Sequence, residues 1–205
     1  MTYGVNSPMG FQPVRKLDGS AWTYSSNQYY IASAYNTAIF TGDPVTMLGD
    51  GTIGIGVAGA PCLGIFMGCK YQTSAPQANG QSFVFNPMWT ANLAVKTGTV
   101  VEAMIVDDPN TVFNVQETNG SGAAGTPLAL ADRNLNINFL IGSGNSATGQ
   151  STSSINNATE NTTADLNMKI LDLTPQPGNV VGSFANWLVT WNNHLFKGGA
   201  GTTGI

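Results

Sequence analysis

Apolar and polar positions alternate in short runs along this chain, and no run keeps a helical period with capping residues at its ends. The most orderly part, GDPVTMLGDGTIGIGVAGAPCLGIFMGCKYQ, reads as strand, tight turn, strand, turn, strand. Gly49-Asp50-Gly51 is a hairpin signal between residues 45–48 and 52–55. Residues 58–61 form a second turn, and residues 63–70 carry glycines inside a strand pattern. Such glycines mark bulges or close backbone approach. Downstream, residues 81–85, 92–96, 100–106, 111–116, 136–141, 165–173 and 186–196 are predicted as strands. The run at 111–116 is expected to pair with the one at 100–106 across the turn VDDPNT. Residues 22–40 hold six aromatic residues and suggest further, interrupted strands. Pro175 and Pro177 argue against a helix between the last two strands. The pattern predicts an all-β fold, a compact barrel or sandwich of short strands with long polar loops.

Two stretches fall outside the strand pattern. Residues 1–20 have isolated apolar positions without period, and predict an extended N-terminal arm able to lie along a neighbouring surface. Residues 142–164, GSGNSATGQSTSSINNATENTTA, hold almost nothing to bury. They are either an exposed contact loop or pairing built on Thr and Asn side chains. The domain reading is therefore an arm at 1–20 and a β-rich unit at 21–205. That unit is either single or a barrel core at 21–141 followed by a loop and final strands at 142–205.

Composition changes the picture through its lack of charge. Only 9% of the 205 residues are charged and the net charge is −4, against about 25% charged residues in typical soluble proteins. Gly, Asn, Thr and Ser take their place. Seven Lys and Arg spread over the chain form no basic patch, so phosphate-based nucleic-acid binding is not expected. No window is long enough to span a membrane, and the start lacks the apolar core of a signal peptide. The chain is expected to be made and kept in a cytoplasm, or released from one by lysis. Cys62 and Cys69 have no zinc spacing. They read as buried thiols, and a strand between them would hold them too far apart for a disulfide.

The stretch Val106–Phe113, VDDPNTVF, places two carboxylates beside a turn. In a strand their side chains diverge. Asp108 before Pro109-Asn110 is the residue type that accepts hydrogen bonds from turn amides. Asp108, Pro109 and Asn110 are thus read as a structural turn. An acid–base role for Asp107 or Asp108 would need a partner such as His194, the only histidine, in WNNHLF. No nucleophile, zinc or phosphate-loop motif accompanies them, so no catalytic residue, metal or cofactor is expected. Trp22, Trp89, Trp187 and Trp191 could make a sugar-binding face, but aromatic residues also fill cores and interfaces, which is the reading preferred. Three Asn-X-Ser/Thr sequons, at Asn119, Asn157 and Asn161, are read as chance in an Asn- and Thr-rich chain.

The segments MGFQPVRKLDGS, YYIASAYNTAIFTGDPVTMLGDGTIGIG, LGIFMGCKYQ and VEAMIVDDPNTVFNVQ together resemble a family of tailed-bacteriophage head decoration, or cement, proteins. The resemblance covers roughly residues 8–116 and, more loosely, ADLNMKILDL near 164–173. GDPV followed by a DG hairpin and LGIF is also distantly similar to the small β-barrel of lambda-type head decoration proteins. These motifs are structural, not catalytic. The resemblance implies a virion protein on the capsid exterior that binds the major capsid protein, often as trimers, and clamps subunit joints. Binding is expected through the arm, with Met9, Phe11, Pro13, Val14, Arg15 and Leu17 as the contact residues. The alternative is a tail- or fibre-associated module that contacts a carbohydrate or receptor.

Overall fold

A computed structural model describes residues 4–74, 82–197, 201, 203 and 204. In chain order its strands are β1 (Gln12–Lys16), β2 (Asn27–Ile31), β3 (Ile39–Phe40), β4 (Pro44–Met47) and β5 (Ile53–Ile55). Then follow β6 (Gly64–Gln72), β7 (Phe83–Asn86), β8 (Met88–Trp89), β9 (Val101–Val106) and β10 (Thr111–Thr118). The last five are β11 (Asn136–Ile137), β12 (Phe139–Leu140), β13 (Ser154–Asn156), β14 (Met168–Leu173) and β15 (Asn186–Trp191). The only helical pieces among the described residues are two short 3-10 turns. The fold is all-β, with one nearly closed barrel sheet and further sheets beside it.

The barrel sheet runs β2-β9-β6-β4-β5, with β7 added to β6. The expected Asp50-Gly51 hairpin joins β4 to β5, with Val45 opposite Ile55. Its interior holds Ile39, Val45, Ile53, Leu63, Phe66, Trp89 and Ile105. The second sheet runs β11-β14-β15-β10-β13-β12, with β1 also paired to β10. Its core holds Phe11, Phe113, Phe139, Met168, Trp187 and Trp191, together with Ile65 and Val106 from the barrel. Consecutive residues of β6 and β9 therefore feed different cores. That explains why this part of the sequence is apolar at nearly every position rather than at alternate ones.

Three sequence-based expectations change. The strands at 101–106 and 111–118 do not form a hairpin: β9 pairs with β2 and β6, whereas β10 pairs with β1, β13 and β15. Both edges of β9 are already occupied, so the chain turns a corner at 107–110 and enters the other sheet. The change of sheet thus falls there. Residues 92–96 are not a strand. Asn92 takes a left-handed conformation, φ 54°, which interrupts extension, and only Val95 makes a bridge, to Thr73. Of the strand expected at 81–85, residue 81 lies outside the described residues.

The third change concerns the N-terminal segment. It is extended, but residues 12–16 are a strand of the second sheet, antiparallel to β10. Phe11 is fully buried, edge-on to Phe113 and Phe139 at ring-centre distances of 6.2 and 6.5 Å. Gly10 allows this entry: at φ 69° a side chain there would press on Ser151 and the Gly42 carbonyl. The segment is thus built into the domain rather than lying outside it, because β1 pairs with β10 and the Phe11 ring completes the core. Residues 1–3 of the arm lie outside the described residues.

The polar stretch 142–164 is also built into the fold. It contains β13, parallel to the end of β10, and buries Ser151, Ser153, Ser154 and Asn157.

Removing the Phe11 ring should cost about 3–5 kcal/mol. Urea unfolding of Phe11→Ala checks this. A loss of under about 1 kcal/mol, the level of a surface change, would mean the ring is not a core element.

Candidate functional site

Residues 9–17 lie along the edge of β10 with their chemistry unevenly exposed. Met9, Val14 and Leu17 are 56%, 43% and 43% exposed, Pro13 and Arg15 are half-buried, and Phe11 is closed off. Val14 stands out because the register shifts between Pro13 and Arg15. A bulge of this kind re-aims a side chain outward. Pro13 is tolerated because it sits at that bulge. Of the six residues expected to make a contact, five therefore lie on or near the surface, and Phe11 acts as their anchor.

The 107–110 corner closes this surface. Asp108 Oδ1 accepts the Asn110 N–H at 2.9 Å, and the Thr111 N–H donates to the Asp108 carbonyl at 3.1 Å. Asp108 Oδ2 lies 3.2 Å from Lys16 Nζ, and the Leu17 N–H donates to the Asn110 carbonyl at 2.8 Å. Asp107 points the other way. Asn27 Nδ2 donates to both its oxygens at 2.9 Å and the Tyr29 hydroxyl donates at 2.6 Å. Burial, together with that bond to the carboxylate, pushes the Tyr29 pKa up. The two carboxylates thus tie the corner to β1 on one side and to β2 on the other.

His194 is fully buried. Its Nδ1 accepts the Phe196 N–H at 3.1 Å, and its ring lies against Trp191 and Phe196. Burial lowers its pKa to about 4. No hydrogen bond joins it to Asp107 or Asp108 among the described residues. Trp89, Trp187 and Trp191 are fully buried, and only Trp22 is partly open. These four tryptophans therefore form no common outer face. Cys62 and Cys69 are free and buried, and burial pushes both thiols up to about 12. Among the described residues no group of three or more His, Cys, Asp or Glu is placed to hold a metal ion, and no helix is long and apolar enough to cross a membrane.

Sequence reasoning missed the buried polar pins. Asp43 accepts Ser151 Oγ at 2.5 Å and Ser153 Oγ at 2.7 Å on one oxygen, and the Phe40 N–H at 2.8 Å on the other. Burial raises the Asp43 pKa, and these bonds pull it back. Glu117 does the same in the second sheet, accepting the Leu128 N–H at 2.8 Å and Asn157 Nδ2 at 3.2 Å. It too is raised by burial. The only signal in the sequence was a run of short hydroxyl and amide residues with no apolar partner.

Asp108→Ala should lose one turn bond and the partly exposed Lys16 pair, costing about 1 kcal/mol. Thermal melts check this, and an unchanged melt would remove the corner from the account. His194 is neutral in the fold down to about pH 4, whereas an unfolded histidine binds its proton near pH 6.5. Its contribution to stability is therefore complete above pH 6.5 and is lost as pH falls towards 4, at up to about 1.4 kcal/mol per pH unit. Asp43 and Glu117, with raised pKa values, act in the opposite sense. The difference between wild type and His194→Gln isolates the histidine, and that difference should shrink as pH drops. A pH-independent difference would contradict the buried neutral ring.

No family model matches the chain, and no match is found among curated proteins or solved structures.

Proposed function

We propose that this chain is a structural virion protein that binds the outer surface of a bacteriophage capsid and cements neighbouring major capsid subunits. The observation that carries the reading is the row Met9, Val14 and Leu17. These are exposed apolar side chains on a segment clamped to the sheet by β10 and anchored by Phe11. A clamped strand loses little conformational entropy on docking, so modest apolar contacts are retained as affinity. Many copies on one lattice then multiply weak contacts into lasting attachment. The low charge of the chain supports the same reading, since closely tiled copies of a highly charged protein would repel one another.

In this proposal capsid contact is made by the outward side chains of β1 and its flanks, with Phe11 staying in its own core. The trimer implied by the sequence resemblance is part of the proposal, and its mass in solution and on the shell would report it. The enzymatic alternative has less support, because Asp107, Asp108 and His194 each serve packing or turn geometry.

Capsids lacking the protein, mixed with wild type and with Met9→Gln/Val14→Ser/Leu17→Gln, test the reading by co-sedimentation. Wild type should pellet with capsids. The triple variant should bind about a hundredfold more weakly, since three exposed apolar contacts are worth about 1 kcal/mol each, with an unchanged melting temperature. Equal binding by both, or no binding by wild type, would contradict it.

A further inference from the structure

On the outward face of the second sheet, between residues 4–12 and residues 176–186, lies a groove of about 450 Å³. Every side chain that lines it is uncharged, and six of the lining residues are carboxamides. Two of these amides hold the walls. Gln116 Nε2 donates to the carbonyls of Val5 and Phe184, both at 3.0 Å, while its Oε1 accepts the Ser7 N–H at 2.9 Å. Asn179 Nδ2 donates to the Thr174 and Asn186 carbonyls at 2.8 Å, and its Oδ1 accepts the Asn186 N–H at 2.9 Å. Both have spent their donors on the fold.

Gln12 Nε2 likewise donates to the Met9 carbonyl at 2.7 Å, whereas Asn114, Gln176 and Asn186 keep their donors. Asn114 uses its Oδ1 to accept the Thr174 hydroxyl at 2.7 Å, which leaves its Nδ2 without a partner among the described residues. The side-chain amides of Asn186 and Gln176 make no hydrogen bond to described residues. Phe184 borders these groups in a left-handed conformation, φ 62°, a state that bulky residues rarely adopt. Its carbonyl accepts the Gln116 amide, and the Gly4 backbone packs so close that any side chain there would collide with the Ser183 carbonyl. Strained, over-determined residues of this kind gather at binding sites.

We propose that this groove binds a neutral oligosaccharide. A carboxamide presents a donor and an acceptor side by side, which matches two adjacent sugar hydroxyls, each able to give and to take a hydrogen bond. The Phe184 ring supplies an apolar wall for the C–H face of a sugar ring. The absence of any lining charge disfavours anionic ligands. Free amides on the floor disfavour a purely apolar one, which would strip their water without replacing it. An extended peptide would need an open strand edge, but the floor strand β10 is bonded to β1 on one edge and to β15 on the other. Recognition here falls to side chains. The inference stands independently of capsid binding.

The test is amide-resolved NMR titration of the full chain with a panel of cello-, laminari-, malto- and mannohexaose at millimolar concentration. At least one sugar should shift the side-chain amide signals of Asn114, Gln176 and Asn186 in a saturable way. Gln176→Ala is exposed and unbonded in the fold, so it should keep the wild-type melt. Gln176→Ala and Asn186→Ala should each weaken that sugar about tenfold, the effect of one lost hydrogen-bonding group. Silence from the whole panel overturns the proposal. So does binding that both variants retain in full, or a preference for a sulfated polysaccharide or an extended peptide over every neutral sugar.

Discussion

The fold depends on one antiparallel strand pair, β6 against β9, whose residues 65–66 and 105–106 are buried on both faces. Ile65 lies opposite Val106 and points into the second core, while the next pair, Phe66 and Ile105, points into the barrel. The two sheets thus share a wall, and neither core is complete without it. The wall admits no excess volume. Any side chain at Gly64 would collide with the Val106 carbonyl and the Ile105 side chain. Because β9 is paired on both edges, the chain leaves the barrel at Val106. The corner at 107–110 is the consequence, and the two aspartates hold it from opposite sides.

Polar groups do the joining that apolar surface cannot. A chain with so few charges has little ion-pair support, and its three salt bridges among the described residues are all partly exposed. Amides and hydroxyls replace them. Asp43 binds the serines of the 142–164 stretch to the barrel, and Asn167 binds residues 59–60 to the second sheet through the Ala60 carbonyl and the Gly59 N–H. Asn192 donates to the carbonyls of Ala164 and Leu166. Each such bond is modest alone, but a buried polar group left without its partner costs more than the bond returns. This favours a single rigid arrangement, which suits a protein proposed to stand as a fixed unit on a lattice.

The sequence revealed those parts of the fold whose cause is local. The Asp50-Gly51 hairpin, the strands β6, β9, β10, β14 and β15 and the absence of long helices among the described residues all follow from turn residues and short apolar runs. Pairing partners were hidden, because they depend on which edges are already occupied. β9 and β10 look like a hairpin until β2 and β6 are both placed beside β9. Phe11 looked like an arm residue because isolated apolar positions in a polar segment have no period. The 142–164 stretch looked empty because its burial uses serine and asparagine. The groove amides were invisible for a related reason. Asn114, Gln176 and Asn186 are distant in sequence, and only the antiparallel β10–β15 pairing and the turn before β15 bring them together.

The central claim is that a rigid two-core unit presents the β1 side to a capsid shell. Cryo-EM of capsids decorated with this protein tests it most directly. The account predicts ordered density on the outer surface, with Met9, Val14 and Leu17 facing capsid subunits and Phe11 packed against Phe113 in its own core. Density with β1 turned to solvent, or with residues 9–17 peeled away from β10, would contradict it.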